Sequence, residues 1–266
     1  MDFALKVVLS FLVGGAYVSG VIWLSEHLGS RVGGAVAGLP STILVGLAFI
    51  DITEGTAATR SAVKIVPLIF TAALVYGLVF LIAARKFKGP RRSIKASLAA
   101  TIAWLAVVLP LKFVFENAAF LTICLVAALG LLAFRYFFRN FSTTLPKKIP
   151  LPRHIYDLRF IIGGTIIAAA VVAARVAGPV WGGVVASLPA LLGTVFYFLN
   201  KSQGDKFLEG FIRRLPLSYI SSFTFLVIIY QLLPHLSDPL SFLLAMAGAL
   251  TYTLLLILYK RTAEQV

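Results

Sequence analysis

"GGAVAGLPST" occupies Gly33–Thr42, and "GGVVASLPAL" occupies Gly182–Leu191. Both tracts read GGxVAxLP, and they lie 149 residues apart. A proline inside an apolar run removes a backbone donor and clashes with the carbonyl four residues earlier, so it kinks or breaks a helix. Two prolines in matching surroundings ask for the same interrupted backbone twice.

The match extends outward from the tracts. Laid without gaps, Phe11–Leu68 and Phe160–Leu217 agree at 14 of 58 positions. Gly14, Gly15, Gly29, Gly33, Gly34 and Gly55 meet Gly163, Gly164, Gly178, Gly182, Gly183 and Gly204, while Pro40 and Pro67 meet Pro189 and Pro216. Chance agreement between apolar segments would fall on common aliphatic letters. Agreement on glycine and proline falls on the residues that dictate backbone shape.

The composition names the setting. Of 266 residues 60% are hydrophobic and only 13% charged, with a mean hydropathy of +0.97. A soluble domain is about 45–50% apolar and about 25% charged. The chain reads as an all-α polytopic membrane protein. Its net charge of +14 does not point to nucleic acid, because the cations sit in short loops between apolar segments. A basic cytoplasmic face of this kind attracts anionic lipid headgroups.

Apolar runs of about 20 residues predict nine spans: Phe3–His27, Gly33–Asp51, Ala62–Ala84, Ser97–Val114, Ala118–Phe138, Leu158–Ala177, Val180–Asn200, Phe211–Leu233 and Pro239–Tyr259. With the N-terminus outside and the C-terminus cytoplasmic, the outer segments hold only Lys6, Arg60, Lys64, Lys112 and Arg175, leaving 19 of the 24 Lys and Arg on the inner face. That asymmetry suits a multi-pass protein of the cell membrane. Met1–Phe3 leads straight into an apolar helix, and no removable signal peptide is expected. The proline-bearing stretch 140–156 divides a first repeat, 1–139 with five helices, from a second, 157–266 with four.

Five crossings precede the second copy. An odd number makes it enter from the opposite side, so the halves are expected to be related by a pseudo-two-fold axis in the membrane plane. Nine helices in two inverted halves, broken at equivalent points, resemble the small inverted-repeat secondary transporters of the bile-acid/sodium symporter and drug/metabolite type. The resemblance is one of architecture. It implies substrate binding where the two broken helices meet, and alternating access by rocking of one bundle against another.

The candidate substrate-binding residues cluster at the breaks. Gly38, Pro40, Ser41 and Thr42 surround the first, and Ser187, Pro189 and Thr194 the second. Half-helix ends there offer N–H groups and carbonyls to a ligand; the bland alternative is a pair of kinks that only shape packing. Lys64 and Arg213 each stand one turn before a matched proline. They attract an anionic substrate or close a gate, or they simply snorkel to the interface.

The remaining chemistry is sparse. Cys124 is the only cysteine, and His27, His154 and His235 show no metal spacing, so no metal or cofactor is expected. Asp51, Glu54, Asp205, Glu209 and Asp238 fall at helix ends or in loops rather than mid-span, which speaks against cation export by carboxylate exchange. No catalytic motif is visible, so an enzyme is not expected. The leading expectation is a permease for a small solute, with a preference for an anion. A channel or uniport-like pore and a non-transporting scaffold are the alternatives. The implied partners are the lipid bilayer, a small-molecule or ion substrate and, as one option, a second copy in a homodimer.

Overall fold

The structure, a computed structural model, describes residues 2–27, 40–144 and 153–263. Gly38, with the rest of the first GGxVAxLP tract before Pro40, lies outside the described residues, as does 145–152 of the linker. Among the described residues the chain is all-α and carries no strand. The helices are α1 Phe3–His27, α2 Ser41–Glu54, α3 Thr56–Lys86, α4 Arg92–Phe115, α5 Phe120–Phe137, α6 Arg153–Ala177, α7 Pro179–Ala186, α8 Ala190–Gln203, α9 Asp205–Ile212, α10 Leu215–Leu232 and α11 Asp238–Ala263, with a single 3-10 turn at Phe138–Asn140.

Eight stretches among these are long and apolar enough to cross a membrane. They coincide with eight of the nine predicted spans. The other, Gly33–Asp51, is described only from Pro40 onward, where it becomes the 14-residue α2. In hydrocarbon the backbone must satisfy itself within the helix, so apolar runs of this length fold this way. Helix α4 shows how its side chains are divided. Ala96, Ala100, Trp104 and Val108 are buried, while Leu98, Ile102, Leu105, Leu109 and Phe113 are exposed. A helix apolar on both faces suits protein on one side and lipid on the other.

The chain forms two compact units. The first comprises Met1–Val66, Lys148–Ser187 and Ser218–Val266; the second comprises Pro67–Lys147 and Leu188–Leu217. Each unit therefore draws on both halves of the sequence.

The first unit is centred on the crossing of α1 and α6. A Cβ on Gly15 would lie 2.7 Å from the Phe160 carbonyl oxygen, and one on Gly164 would lie 2.5 Å from that of Phe11. Likewise a Cβ on Gly14 would meet Ile167 at 2.5 Å, and one on Gly163 would meet Val18 at 2.9 Å. The Phe11 and Phe160 rings close the contact edge to face at 5.7 Å. Phe3 at the start of α1 lies against Arg175 at the end of α6, while Ser19, further along α1, donates to the Tyr156 carbonyl near the start of α6, so the helices run antiparallel. Each of the glycine contacts also has its mirror 149 residues away. These glycines face one another's helices rather than the proline breaks.

The second unit packs α8 against α4 and α9. Tyr76, Phe80, Phe196 and Phe211 stack in its interior, with the Phe80 and Phe196 rings 5.3 Å apart. Gly193 lies directly under the Tyr76 hydroxyl, and Gly130 leaves room for Thr71.

The 149-residue register reappears in the helix boundaries. Ser41 and Glu54 bound α2, and the equivalent Ala190 and Gln203 bound α8. Thr56 opens α3 as Asp205 opens α9. The copies then differ. Helix α3 runs through Pro67 to Lys86, whereas α9 ends at Ile212 and α10 starts at Leu215. The predicted span Phe211–Leu233 thus begins earlier, at Asp205, and is jointed at Arg213–Arg214. Pro216 is the second residue of α10, where its missing N–H has no helical acceptor to lose.

The α1–α6 crossing yields a direct test. Gly15→Ala and Gly164→Ala each drive a methyl into a backbone carbonyl and should cost about 1–3 kcal/mol. Gly20→Ala on the same helix meets nothing within 4 Å and should be neutral or mildly stabilising. Thermal unfolding in detergent, with the three variants side by side, measures the difference.

Candidate functional site

The second copy shows the proline break in full. Helix α7 ends at Ala186, and the Ser187 N–H reaches back to the Gly183 and Val184 carbonyls, each at 3.2 Å. The Ser187 hydroxyl donates to the Gly183 carbonyl at 2.8 Å. Pro189 then caps α8, its carbonyl accepting from Gly193 N–H at 2.8 Å. Pro40 caps α2 in the same manner, accepting from Leu44 N–H at 2.7 Å. The proline ring fixes φ at both caps, while ψ is 53° at Pro40 and 28° at Pro189. A proline has no side-chain acceptor, so neither cap satisfies the first-turn N–H groups of its helix.

The first unit brings the start of α2 and the end of α7 together. A Cβ on Gly46, within two turns of Pro40, would stand 2.9 Å from the Ala186 Cβ. Gly182 sits against Ala174, Ile50 and the Ala170 carbonyl, and Gly183 sits on the Ala62 carbonyl. Small residues let these backbones approach. Pro40 is buried and Thr42 half-buried at the head of α2, Ser187 is half-buried at the tail of α7, and Lys64 is half-buried further along α3. Ser41 is the first residue of α2.

Pro189, Thr194 and Arg213 belong to the second unit. The Thr194 hydroxyl donates to the Leu191 carbonyl at 2.7 Å. The Arg213 guanidinium donates to the Phe141 carbonyl at 2.8 Å, just past the 3-10 turn. Thr194 and Ser187 therefore spend their protons on neighbouring backbone carbonyls, and only their acceptor capacity is left.

One end of the first unit collects polar groups from several helix termini. Lys6 donates to the Ile52 carbonyl at 2.8 Å, and Arg175 pairs with Glu54 at 3.2 Å while lying over the Phe3 ring. Arg60 lies 4.3 Å from the centre of the Tyr230 ring. Thr59 donates to Asp51 at 3.0 Å, and Thr56 donates to Asp238 at 3.0 Å. Asp51 lies in the last turn of α2, outside the eight apolar spans.

The second unit has its own polar end. Ser93 donates to Asn200 Oδ1 at 3.0 Å, and Asn200 Nδ2 donates to Asp205 at 2.6 Å. Arg92 approaches Asp205 at 3.9 Å, and Arg85 pairs with Glu209, which also accepts from the Ser142 N–H at 3.4 Å. Reading the carboxylates as mere helix-end residues misses the bonds from Thr59 to Asp51 and from Thr56 to Asp238, the second of which spans most of the chain. A signal was present: Asp51 is the register partner of Asn200. Among the described residues, no group of three His, Cys, Asp or Glu side chains is placed to hold a metal ion.

The docking of α2 on α7 can be tested by exchange of a methyl. Gly46→Ala should lower the unfolding midpoint. Adding Ala186→Gly should recover most of the loss, giving a coupling of about 0.5–3 kcal/mol in the double-mutant cycle. Strict additivity would separate the two helices. Comparison with protein-family models, with curated proteins and with solved structures returns no match.

Proposed function

We propose that the chain is a secondary transporter of the cell membrane, moving a small solute by alternating access, with its N-terminus outside and its C-terminus cytoplasmic. The observation that carries this reading is the reciprocal crossing of α1 and α6. An antiparallel pair in which Gly15 meets Phe160 and Gly164 meets Phe11 is what two inverted copies of one helix would make about a two-fold axis between them. The equal bounds of α2 and α8 and their shared proline caps support the same duplication.

The polar ends support the order of crossings. Lys6, Arg60 and Arg175, three of the five cations assigned outside, gather at one end of the first unit with the start of α1, the end of α2 and the end of α6. That is the alternation successive crossings require, and the placement of the N-terminus outside rests on the loop charges. Gly33–Asp51 is then a ninth crossing, interrupted before Pro40 as Val180–Asn200 is before Pro189.

In this reading the substrate binds at the head of α2 and the tail of α7, beside Pro40, Ser41, Thr42 and Ser187. The first-turn N–H groups of α2 are donors at the positive end of a helix, which favours an anion or a carbonyl oxygen. Pro189 and Thr194 hold the equivalent place in the second copy. Arg213, bonded to the Phe141 carbonyl, serves as a strap, and Lys64 is its counterpart in the first copy. The chain acts as a carrier and not as an enzyme.

Flux into proteoliposomes tests the assignment. The wild type should show saturable uptake and counterflow for at least one small anion from a metabolite panel. Pro40→Ala and Pro189→Ala should each cut the rate about tenfold or more while the protein remains folded. Uptake that never saturates and shows no counterflow would favour a pore. Folded variants with unchanged flux would remove the prolines from the mechanism.

A further inference from the structure

We infer that the second unit carries a docking face for an anionic phospholipid, its headgroup phosphate held by Arg91 and Lys95 at the start of α4 and an acyl chain laid along Leu98, Ile102 and Leu105. The inference goes beyond the carrier reading and holds whether or not the chain moves a solute.

Charge is the first observation. The polar end of the second unit joins the end of α3, the start of α4, the segment after α5, the end of α8 and α9, through Ser93 with Asn200, Arg85 with Glu209 and Ser142 with Glu209. Twelve Lys and Arg fall there, from Arg85 to Lys95, at Arg135 and Arg139, and from Lys201 to Arg214. The carboxylates of this end are Asp205 and Glu209, and Arg92 and Arg85 already engage them. The polar end of the first unit is different: Lys6, Arg60 and Arg175 share it with Asp51, Glu54 and Asp238. The positive excess is therefore local to the second unit. Arg91 and Lys95 are exposed, and neither makes an ion pair among the described residues.

The second observation is what lies beneath those two cations. Arg91, Lys95, Leu98, Ile102, Leu105 and Leu109 are all exposed and stand four and three residues apart in turn, which puts them on one face of α4. The opposite face, Ala96, Ala100, Trp104 and Val108, is buried. The outer face is thus cationic for one turn and apolar for the next four. A phosphate headgroup above a hydrocarbon chain has that same order of chemistry.

Helix α5 marks the level of the membrane surface. Its exposed residues Leu125, Leu129, Leu132, Tyr136 and Arg139 follow the same spacing, and the Arg139 guanidinium lies 3.9 Å from the centre of the Tyr136 ring. An exposed tyrosine beside a cation, at the end of an apolar face, belongs at the headgroup level. Two other occupants fit the α4 face less well. Free phosphate leaves its apolar part uncovered. A second copy in the same membrane would bring its own Arg91 and Lys95 to the same level, like charge against like.

Native mass spectrometry of the full chain, released from detergent with added lipid, tests the face. Phosphatidylglycerol should bind about tenfold or more tightly than phosphatidylcholine of matched chains, and the preference should weaken as salt rises. The double variant Arg91→Gln/Lys95→Gln should lose most of that preference. Lys6→Gln/Arg175→Gln removes the same charge from the first unit and should keep it. Short-chain phosphatidylglycerol should bind more weakly than the long-chain lipid. Equal binding of the two headgroups, or an unchanged preference in Arg91→Gln/Lys95→Gln, overturns the face. Inorganic phosphate that displaces the lipid would assign the cations to a free anion, and a dimer that excludes lipid would assign the face to a second copy; either result also overturns it. Arg91 and Lys95 are exposed and unpaired, so the double variant should keep the wild-type unfolding midpoint. Should it not fold, the two headgroups and the two chain lengths on the wild type decide. No readout requires transport, so failure of this face and failure of the carrier reading are separate results.

Discussion

The fold depends on two backbones that nearly touch. Lipid gives helices no hydrophobic reason to associate, so close packing must hold them. Gly15 and Gly164 each surrender a side chain to let in the carbonyl of the opposing phenylalanine, and the two phenylalanine rings seal the crossing. Because one surface is used twice, whatever shape α1 presents, α6 answers. From this crossing α1 reaches α2, and α6 reaches both α2 and α7. The pair thereby places the helix ends that flank the proline breaks.

Polarity is kept at the ends of this apolar frame. Charged and hydrogen-bonding side chains tie helix termini together, and each unit does so with its own set. Thr59 with Asp51 and Thr56 with Asp238, and Asn200 with Ser93 and Asp205, hold two sharp corners in place. One corner uses a carboxyl where the other, at the matching position, uses an amide. Burying either corner without partners would cost far more than the net worth of its bonds, so both are saturated with neighbours.

Much of this was legible in the chain because it is written in residues that control the backbone. The apolar runs mark the described spans, and the 149-residue register anticipates that α2 and α8 open behind equivalent prolines. What the sequence hid was relational. Nothing local says that Gly14 and Gly15 face α6 rather than the breaks, or that Thr56 finds Asp238. Those contacts depend on how helices far apart in sequence lean on one another. The joint at Arg213–Arg214 was also obscure, since Pro67 and Pro216 read alike while only the second copy breaks. For the site, position along the chain located Ser187 and Thr194, but only coordinates reveal that both hydroxyls donate to carbonyls of their own helices.

Helices α2 and α8 are each 14 residues long, and along that length Phe49 and Phe198 are their one shared residue. Both end on a glycine in the same unusual conformation, φ 86° and ψ 173° at Gly55, φ 83° and ψ −175° at Gly204. That region is essentially closed to other residues, and nothing lies within 4 Å of either missing Cβ, so geometry and not crowding demands the glycine. The two stretches thus agree as a measured interval, a proline at one mark and a glycine at the other, while the letters between differ almost everywhere. Their likeness is a matter of metre rather than vocabulary.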